Sequence, residues 1–173
     1  NAIWKIFPNP TKGEMNTGIY YSAYADPAVM SVPAGFYDGP RYVVLYTDES
    51  NADIFYTING DAPDQESTLY TGLITISNTQ IVKAIVIPNE DFCCEILPSF
   101  ITFNTYFIDE NHSLPVLSTA ANQLTTLLNG NQSLKPHGTI EYFDIDGERV
   151  DFGYGEYNKH GQDSWAFPQR SFD

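Results

Sequence analysis

Residues 54–72, IFYTINGDAPDQESTLYTG, decide how this chain is expected to fold. The stretch begins with apolar residues at alternate positions, the period of a half-buried β-strand. The residues expected on one face of that strand are Ile54, Tyr56 and Ile58. Asn59-Gly60 then tolerates positive φ and ends the strand, and Pro63 stiffens the loop that follows.

The same stretch also contains three acids, Asp61, Asp64 and Glu66, within six residues. These acids fit three interpretations: a calcium loop, a catalytic carboxylate cluster, or a solvated connection between strands. A calcium loop needs oxygen ligands at fixed short intervals followed by a distal Glu, and this spacing is missing here. The run DIDGE at 144–148 also falls short of that motif, and an Asp146-Gly147 hairpin turn explains it. We therefore predict solvated loops and no metal site.

On both sides of this stretch the chain alternates between β-branched runs and polar turns. The runs expected to form strands are 41–47, 54–58, 73–77, 80–87 and 97–108. Short strands at close spacing without a helical period predict an antiparallel Ig-like β-sandwich over residues 27–110. Residues 1–26 are expected to be the tail of an upstream domain or a linker.

Residues 111–173 are expected to form a partial α+β segment. Together with the sandwich, this makes the predicted fold of the whole chain mainly β. We predict a strand at 114–118, a helix capped by Thr119 and stopped by Gly130, and a hairpin over 137–155. About 60 residues of this kind bury too little surface to be stable alone. The apolar residues of the hairpin must therefore pack on a neighbour: Ile140, Tyr142, Val150, Phe152 and Tyr154.

The charge balance limits the classes of partner. The chain has 22 acids against 8 bases, a net charge of −14, and such a surface repels nucleic acid and anionic lipid. No apolar run reaches the roughly 18 residues of a membrane span. Few lysines beside many tyrosines, threonines and asparagines suit an extracellular or cell-surface β protein. Other domains of the same protein, other surface proteins and glycans are the partners that remain.

Catalytic signatures are missing from the sequence. Nothing pairs two carboxylates, and neither a G-x-S-x-G elbow, a phosphate loop nor zinc-ligand spacing occurs, so we expect no cofactor and no catalytic residue. His112, His137 and His160 are interpreted as polar residues at strand boundaries. Cys93 and Cys94 are adjacent, which leaves two free thiols or a strained vicinal disulfide open.

Five aromatic residues before the sandwich have two interpretations. They could stack on sugar rings, or they could belong to the core and to the junction between domains. They are Tyr20, Tyr21, Tyr24, Phe36 and Tyr37.

Residues 35–76 contain the successive patterns G-F-Y-x-x-P, I-x-Y-T-x-N-G-x-x-P and Y-x-G-x-I-x-I. This order resembles the Ig-like module that closes chitobiases and β-hexosaminidases and recurs in secreted bacterial surface proteins. The resemblance implies a sandwich and assigns no chemistry to the acidic loop. The matching residues are Gly35, Phe36, Tyr37, Pro40, Ile54, Tyr56, Thr57, Asn59, Gly60, Pro63, Tyr70, Gly72, Ile74 and Ile76.

Further on, NTYFIDENHSLPVLS at 104–118 and the final 21 residues, 153–173, resemble the start of a CotH-like domain, an atypical kinase family. Its H-G-x-x-S-R-x-F-P-[KQ]-K-S motif departs here at Trp165, in place of Arg, and at Arg170, in place of Lys, which bears on phosphate handling. The motif residues present are His160, Gly161, Ser164, Phe167, Pro168, Gln169, Arg170 and Ser171.

At the other end, WKIFPNPTKGEMN at 4–16 resembles the exit of a lamin-tail domain, or the P-N-P-T-x-G phrase of type IX secretion sorting domains.

Together these resemblances imply a segment of a large secreted or cell-surface bacterial protein. The kinase-like catalytic residues of the CotH family would lie downstream of residue 173. A non-catalytic Ig-like spacer or interaction module in display, adhesion or assembly is the first expectation. A CotH-like secreted protein kinase and a carbohydrate-binding accessory module are the alternatives.

Overall fold

A computed structural model describes residues 4–7, 9–89, 96–130 and 133–160. The elements are β1 (Ala23–Tyr24), β2 (Val29–Met30), β3 (Gly35–Tyr37), β4 (Arg41–Val43), β5 (Leu45–Tyr46), β6 (Ala52–Thr57), β7 (Thr68–Leu69), β8 (Ile74–Ile76), β9 (Gln80–Pro88), β10 (Ile96–Leu97), β11 (Thr102–Ile108), β12 (Val116–Ala121), α1 (Leu124–Leu128), β13 (His137–Phe143) and β14 (Arg149–Glu156). The mainly β prediction is confirmed.

The first part of the chain forms a β-sandwich. One layer is a five-stranded sheet in the order β3-β11-β9-β6-β7, and the other consists of the pairs β2-β5 and β4-β8. Alternate residues of these strands meet between the layers, as the period of two requires. The buried core residues are Ala25, Ala28, Val43, Leu45, Ile54, Ile74, Ile76, Val82, Ala84, Val86, Tyr106 and Ile108.

The sandwich is less uniformly antiparallel than predicted. β3 runs parallel to β11, and β1 runs parallel to β10. The pairing of β1 fixes Ala23–Tyr24 to the sandwich, and the next residue, Ala25, is in the core. Residues 23–25 thus also contact the sandwich.

Two expected strands are divided. The run 41–47 breaks at Val44, whose N–H donates to Ser31 Oγ at 2.8 Å, so that β4 pairs with β8 and β5 pairs with β2. The run 97–108 breaks after Leu97, where Pro98 and the buried Ser99 separate β10 from β11. Ile58 was expected to share one strand face with Ile54 and Tyr56, and this was wrong. It lies beyond the end of β6 and is 47% exposed, whereas Ile54 is buried.

The C-terminal part is a three-stranded antiparallel sheet, β12-β13-β14, with one short helix. The predicted hairpin is confirmed: β13 and β14 pair, and Gly147 takes φ 83° in the turn. The predicted helix start was wrong, because Thr119 lies in β12 opposite Ile140 and the helix begins only at Leu124. Gly130 does follow the helix end, with positive φ and a hydrogen bond to Leu127 O.

The two parts pack against each other. In β11, Tyr106 and Ile108 face the sandwich core, which leaves Phe103, Thr105 and Phe107 on the opposite face of the sheet. That second face lies against the inner face of β12-β13-β14. Within the described residues, no helix is long and apolar enough to cross a membrane.

Candidate functional site at the junction of the sandwich and the C-terminal sheet

The junction between the two parts contains most of the buried charge. Among the described residues, Lys83 and Glu141 are both 0% exposed, and each lies on a strand whose other side chains are largely apolar. Buried charges are costly unless they are paired or hydrogen-bonded, so their partners define what the junction does.

Lys83 is bonded by backbone carbonyl groups from both parts. Its Nζ donates to Gly60 O at 2.6 Å in the sandwich and to Ala120 O at 2.8 Å in β12. Burial lowers the pKa of Lys83 to about 8, and the negative charges of Asp61 and Glu141 oppose this shift. One buried ammonium group therefore joins a sandwich loop to the C-terminal sheet.

Glu141 forms the second connection. It accepts a hydrogen bond from Arg149 Nη1 at 2.8 Å within its own sheet. It also accepts from the N–H of Thr105, at 3.3 Å, and from the hydroxyl of the same residue. Both carboxylate oxygens are used, as a fully buried carboxylate requires.

Arg149 continues this network onto β11. Its Nη1 also donates to Phe103 O at 3.1 Å and to Asn104 Oδ1 at 3.0 Å. The Arg149 guanidinium lies over the ring of Phe152, 4.5 Å from its centroid, and Phe152 meets Phe103 edge to face. Nη1 thus lies within hydrogen-bond distance of three acceptors, two of them in the sandwich.

The position of these bonds along β11 explains their arrangement. β3 pairs with β11 only at residues 106–108, and the N–H of Asp109 donates to Tyr37 O on that same side. Because N–H and C=O groups alternate sides along a strand, those of Phe103 and Thr105 point to the same side, at a level that lies before the start of β3 at Gly35. Arg149 bonds the carbonyl of Phe103 and Glu141 bonds the amide of Thr105, so the ion pair occupies the place of a missing strand.

An aromatic cluster closes one end of the junction. Phe36 stacks on Phe107 with ring centroids 4.2 Å apart, and Phe143 meets both rings edge to face. His112 lies over Phe36 at 4.1 Å and bonds Leu114 O through Nδ1. A Cβ on Gly147 would lie 3.1 Å from Phe36, so the hairpin turn also packs closely here.

The acidic loop borders the other end. Asp64 Oδ1 accepts hydrogen bonds from the N–H of Glu66 and from Ser67 Oγ, and Asp61 accepts from Asn59 Nδ2. The N–H of Ala62 donates to Asn122 in the C-terminal part, across a groove of about 430 Å³. In the described part of the chain, no three His, Cys, Asp or Glu side chains are grouped as metal ligands.

The five predicted aromatic residues lie in different environments. Tyr37 packs on the sandwich core and donates to Pro33 O, whereas the adjacent Phe36 belongs to the junction. Tyr24 is 43% exposed against Phe100, at 4.7 Å between ring centroids. Tyr20 lies near Phe7 and under Lys5, and Tyr21 forms a bridge with Ile6. Phe36 and Tyr37 point to opposite faces of β3, so the five do not form a single surface.

Of the residues in the CotH-like motif, the structure describes only His160, which is exposed and has interactions with its neighbours. The rest lie outside the described residues: Gly161, Ser164, Phe167, Pro168, Gln169, Arg170 and Ser171. Cys93 and Cys94 also lie outside them. His137 begins β13, as its expected position at a strand boundary requires, 3.7 Å from Glu156.

The sequence did not single out Lys83, Glu141 or Arg149. Two signals were present: a lysine inside the apolar run QIVKAIVI and a glutamate inside the alternating run TIEYFDI. In the first run the lysine has apolar residues on both sides. In the second, the alternation assigns Ile140 and Tyr142 to the packed face, and this expectation was wrong: they are 39% and 40% exposed, and Glu141 is buried instead. Such a position predicts either a second buried face or a functional charge, and here the structure shows a second buried face.

Comparison with known proteins found one matching family model. The family model of the chitobiase/beta-hexosaminidase C-terminal domain matches residues 32–90. No curated protein and no solved structure matches the chain. The match extends from just before β3 to just after β9, so it includes Lys83 but neither β11 nor the C-terminal sheet. Over these residues the chain is similar to the domain that ends chitobiases and β-hexosaminidases.

Proposed function

We propose that this chain is a non-catalytic accessory segment of a larger protein, with the sandwich as an Ig-like spacer and interaction module. The observation that supports the proposal best is the edge of β11, which is completed by Glu141 and Arg149 of the other part. A spacer must hold its neighbours in a fixed orientation. Buried, directional bonds across the junction favour one orientation over a flexible link.

The proposed setting is a secreted or cell-surface bacterial protein, in which the module contributes to display, adhesion or assembly. The match to a glycosidase-associated domain over residues 32–90 supports an extracellular location. A net charge of −14 agrees with a solvated surface that avoids nucleic acid and anionic membranes.

Hydrogen exchange on the whole chain tests the spacer role. Amides of β9 and of β13 should exchange with the same free energy of opening, because neither sheet can separate without breaking the Lys83 and Glu141 bonds. Separate opening of β13, with β9 still protected, would show a flexible link and would refute the spacer proposal. The non-catalytic part is tested by assaying the chain for β-N-acetylglucosaminide hydrolysis and for phosphate transfer from ATP–magnesium, and we expect neither.

The alternative kinase function has one structural observation in its favour. The outer face of β12-β13-β14 leaves Leu117 57% and Tyr142 40% exposed, as a sheet does when further chain adds a covering layer. In this alternative, residues 111–173 begin a CotH-like domain whose catalytic groups lie downstream. Phosphate transfer by a longer form of the protein, with none by the present chain, would support it.

The carbohydrate-binding alternative is favoured by the exposed ring pair of Tyr24 and Phe100, which are 43% and 65% exposed. Stacked aromatic rings at a surface suit the apolar face of a sugar. A glycan array with wild type and Tyr24→Ala tests it: binding that is lost in the variant supports this role, and no binding removes it.

A further inference from the structure

Among the described residues, β14 is an outer strand of the C-terminal sheet with an unusually open edge. It is eight residues long, and its apolar side chains remain in solvent: Val150 is 55%, Phe152 61% and Tyr154 43% exposed. β13 covers one side of β14, and no described strand covers the other.

The backbone groups of β14 on that open side can be identified. Just after the strand, the N–H of Tyr157 donates to Pro136 O, towards β13. Because these groups alternate, Gly155 and Gly153 also point towards β13, while Tyr154 and Phe152 point away. In agreement, the N–H of Phe152 donates to its neighbour Asp151 Oδ1 at 2.8 Å. Tyr154 thus directs its N–H and C=O away from β13, and Phe152 its C=O, whereas an added strand would have to replace Asp151 Oδ1 at the N–H of Phe152.

The usual protection of an edge strand is weak here. Natural edges are blocked by lysine, proline, bulges or short length. The register with β13 shifts only at the start of β14, between Asp151 and Arg149, and residues 150–155 (VDFGYG) contain no lysine or proline. A hollow of about 360 Å³ lies over the outer face of the sheet and is lined by Leu117, Ile140, Tyr142, Asp151, Phe152 and Gly153. An extended peptide can add to an open edge through main-chain hydrogen bonds.

The charges near this edge indicate the kind of strand that fits. Glu148 and Asp151 are exposed along it, and Glu156, also exposed, shares its charge with Lys135 at 3.5 Å. Arg149, the basic residue of β14, is bonded to Glu141. A second copy of a chain with net charge −14 would meet repulsion.

We propose that β14 binds an extended, positively charged segment of a partner protein as a fourth strand, through the backbone of Phe152 and Tyr154. Lysine or arginine residues near the ends of that segment would meet the acids, and apolar residues between them would pack beside Phe152. This inference rests on the proposed interaction module and specifies its partner. The two can be tested separately: peptide binding can be absent even if β9 and β13 open together as the spacer proposal requires.

The test uses the full chain and a synthetic peptide of alternating valine and threonine with lysines at both ends. Calorimetry should show saturable binding that weakens with added salt, and hydrogen exchange should show new protection at the amides of Phe152 and Tyr154. Tyr154→Pro removes an outward N–H without touching a bond to β13 and should weaken binding about tenfold or more, a loss of roughly 1.4 kcal/mol. Phe152→Lys should weaken it similarly by adding repulsion.

The matched control is Ile145→Lys, which makes the same charge change at a position in the hairpin turn that is 59% exposed. Thermal melts establish that each variant folds. Three outcomes would overturn the proposal: no binding to the wild type, equal binding by wild type and both edge variants, or equal binding of a glutamate-ended peptide. A dimer that Phe152→Lys disrupts would also overturn it, because a second copy would then be the occupant.

Discussion

Glu141 and Arg149, 2.8 Å apart on neighbouring strands of the C-terminal sheet, together complete the open edge of β11 in the sandwich. An edge with unpaired N–H and C=O groups is a site of non-specific pairing, and proteins cover such edges in various ways. In this chain two side chains of opposite charge act as acceptor and donor in place of a strand. The same contact that protects the edge also fixes the second sheet to the first.

Removing one member of this pair should be more costly than removing both. Arg149→Met leaves a buried carboxylate unpaired, and we expect the free energy of unfolding to fall by about 3–5 kcal/mol. Adding Glu141→Leu should recover part of this loss, with a coupling of about 1 kcal/mol or more in a double-mutant cycle. Urea unfolding measures all four forms. Lys135→Met is the control, because its ion pair with Glu156 is solvent-exposed and should leave the urea midpoint unchanged. Additive single effects would contradict the proposed pairing.

Lys83 should make stability rise with pH in the mildly alkaline range. Its pKa is lowered to about 8 in the folded protein from 10.5, so between these values the unfolded state binds more protons. The free energy of unfolding therefore increases as the pH rises from 8 towards 10.5. Lys83→Met should be less stable overall and should lack this increase. Urea midpoints at pH 7.5 and 9.5 measure the difference, and parallel pH profiles for the two proteins would refute it.

Tyrosine ionisation limits that test to pH values below 10. Burial raises the pKa of Tyr106 to about 12 from 10.0, although its hydrogen bond with Asn104 opposes the shift. The folded state then keeps a proton that the unfolded state loses, so stability falls above pH 10.

Gly138 should be the glycine of β13 and β14 least tolerant of a side chain. A Cβ there would overlap Ala120 O and Ala121 Cβ and would lie 2.8 Å from Ala121 Cα, so β12 would have to move. We expect Gly138→Ala to lower the free energy of unfolding by about 2 kcal/mol or more. Gly155→Ala is the matched control, since nothing lies within 4 Å of its Cβ position. Equal urea midpoints for the two variants would show that the close approach of β12 and β13 does not occur.

The C-terminal sheet should not fold without the sandwich. An isolated 111–173 peptide exposes Thr139, Glu141 and Phe143, which are 1%, 0% and 0% exposed in the whole chain. We expect it to lack dispersed amide signals. In the whole chain, where the two sheets open together, limited proteolysis after about Asp109 should be slow, and Arg149→Met should accelerate it. Sharp, dispersed signals from the peptide would show an autonomous domain and refute this dependence.

Local sequence determined most of the elements. The alternation in residues 54–57 and the Asn59-Gly60 turn form β6 and its end, where Gly60 takes φ 89°. The Asp146-Gly147 turn fixes the β13-β14 hairpin. These features depend on side-chain period and on the backbone freedom of a few residues, which act over short distances and so can be predicted from sequence. The helix predicted from Thr119 failed because pairing with β13 extends β12 to Ala121, a long-range effect.

Tertiary structure alone decided the junction. Lys83, Gly60 and Ala120 are separated by 23 and 37 residues along the chain, and Thr105 and Glu141 by 36. Short-range patterns contain no information about such distant partners. A charge inside an apolar run therefore indicates that the charged side chain is buried, but not which residue bonds it. Because β3 begins only at Gly35, opposite Tyr106, residues 103–105 of β11 are left open. Their amide and carbonyl groups become the donor for Glu141 and the acceptor for Arg149. The sequence determined that these charges lie on packed strands, and the fold determined that each bonds the other part of the protein.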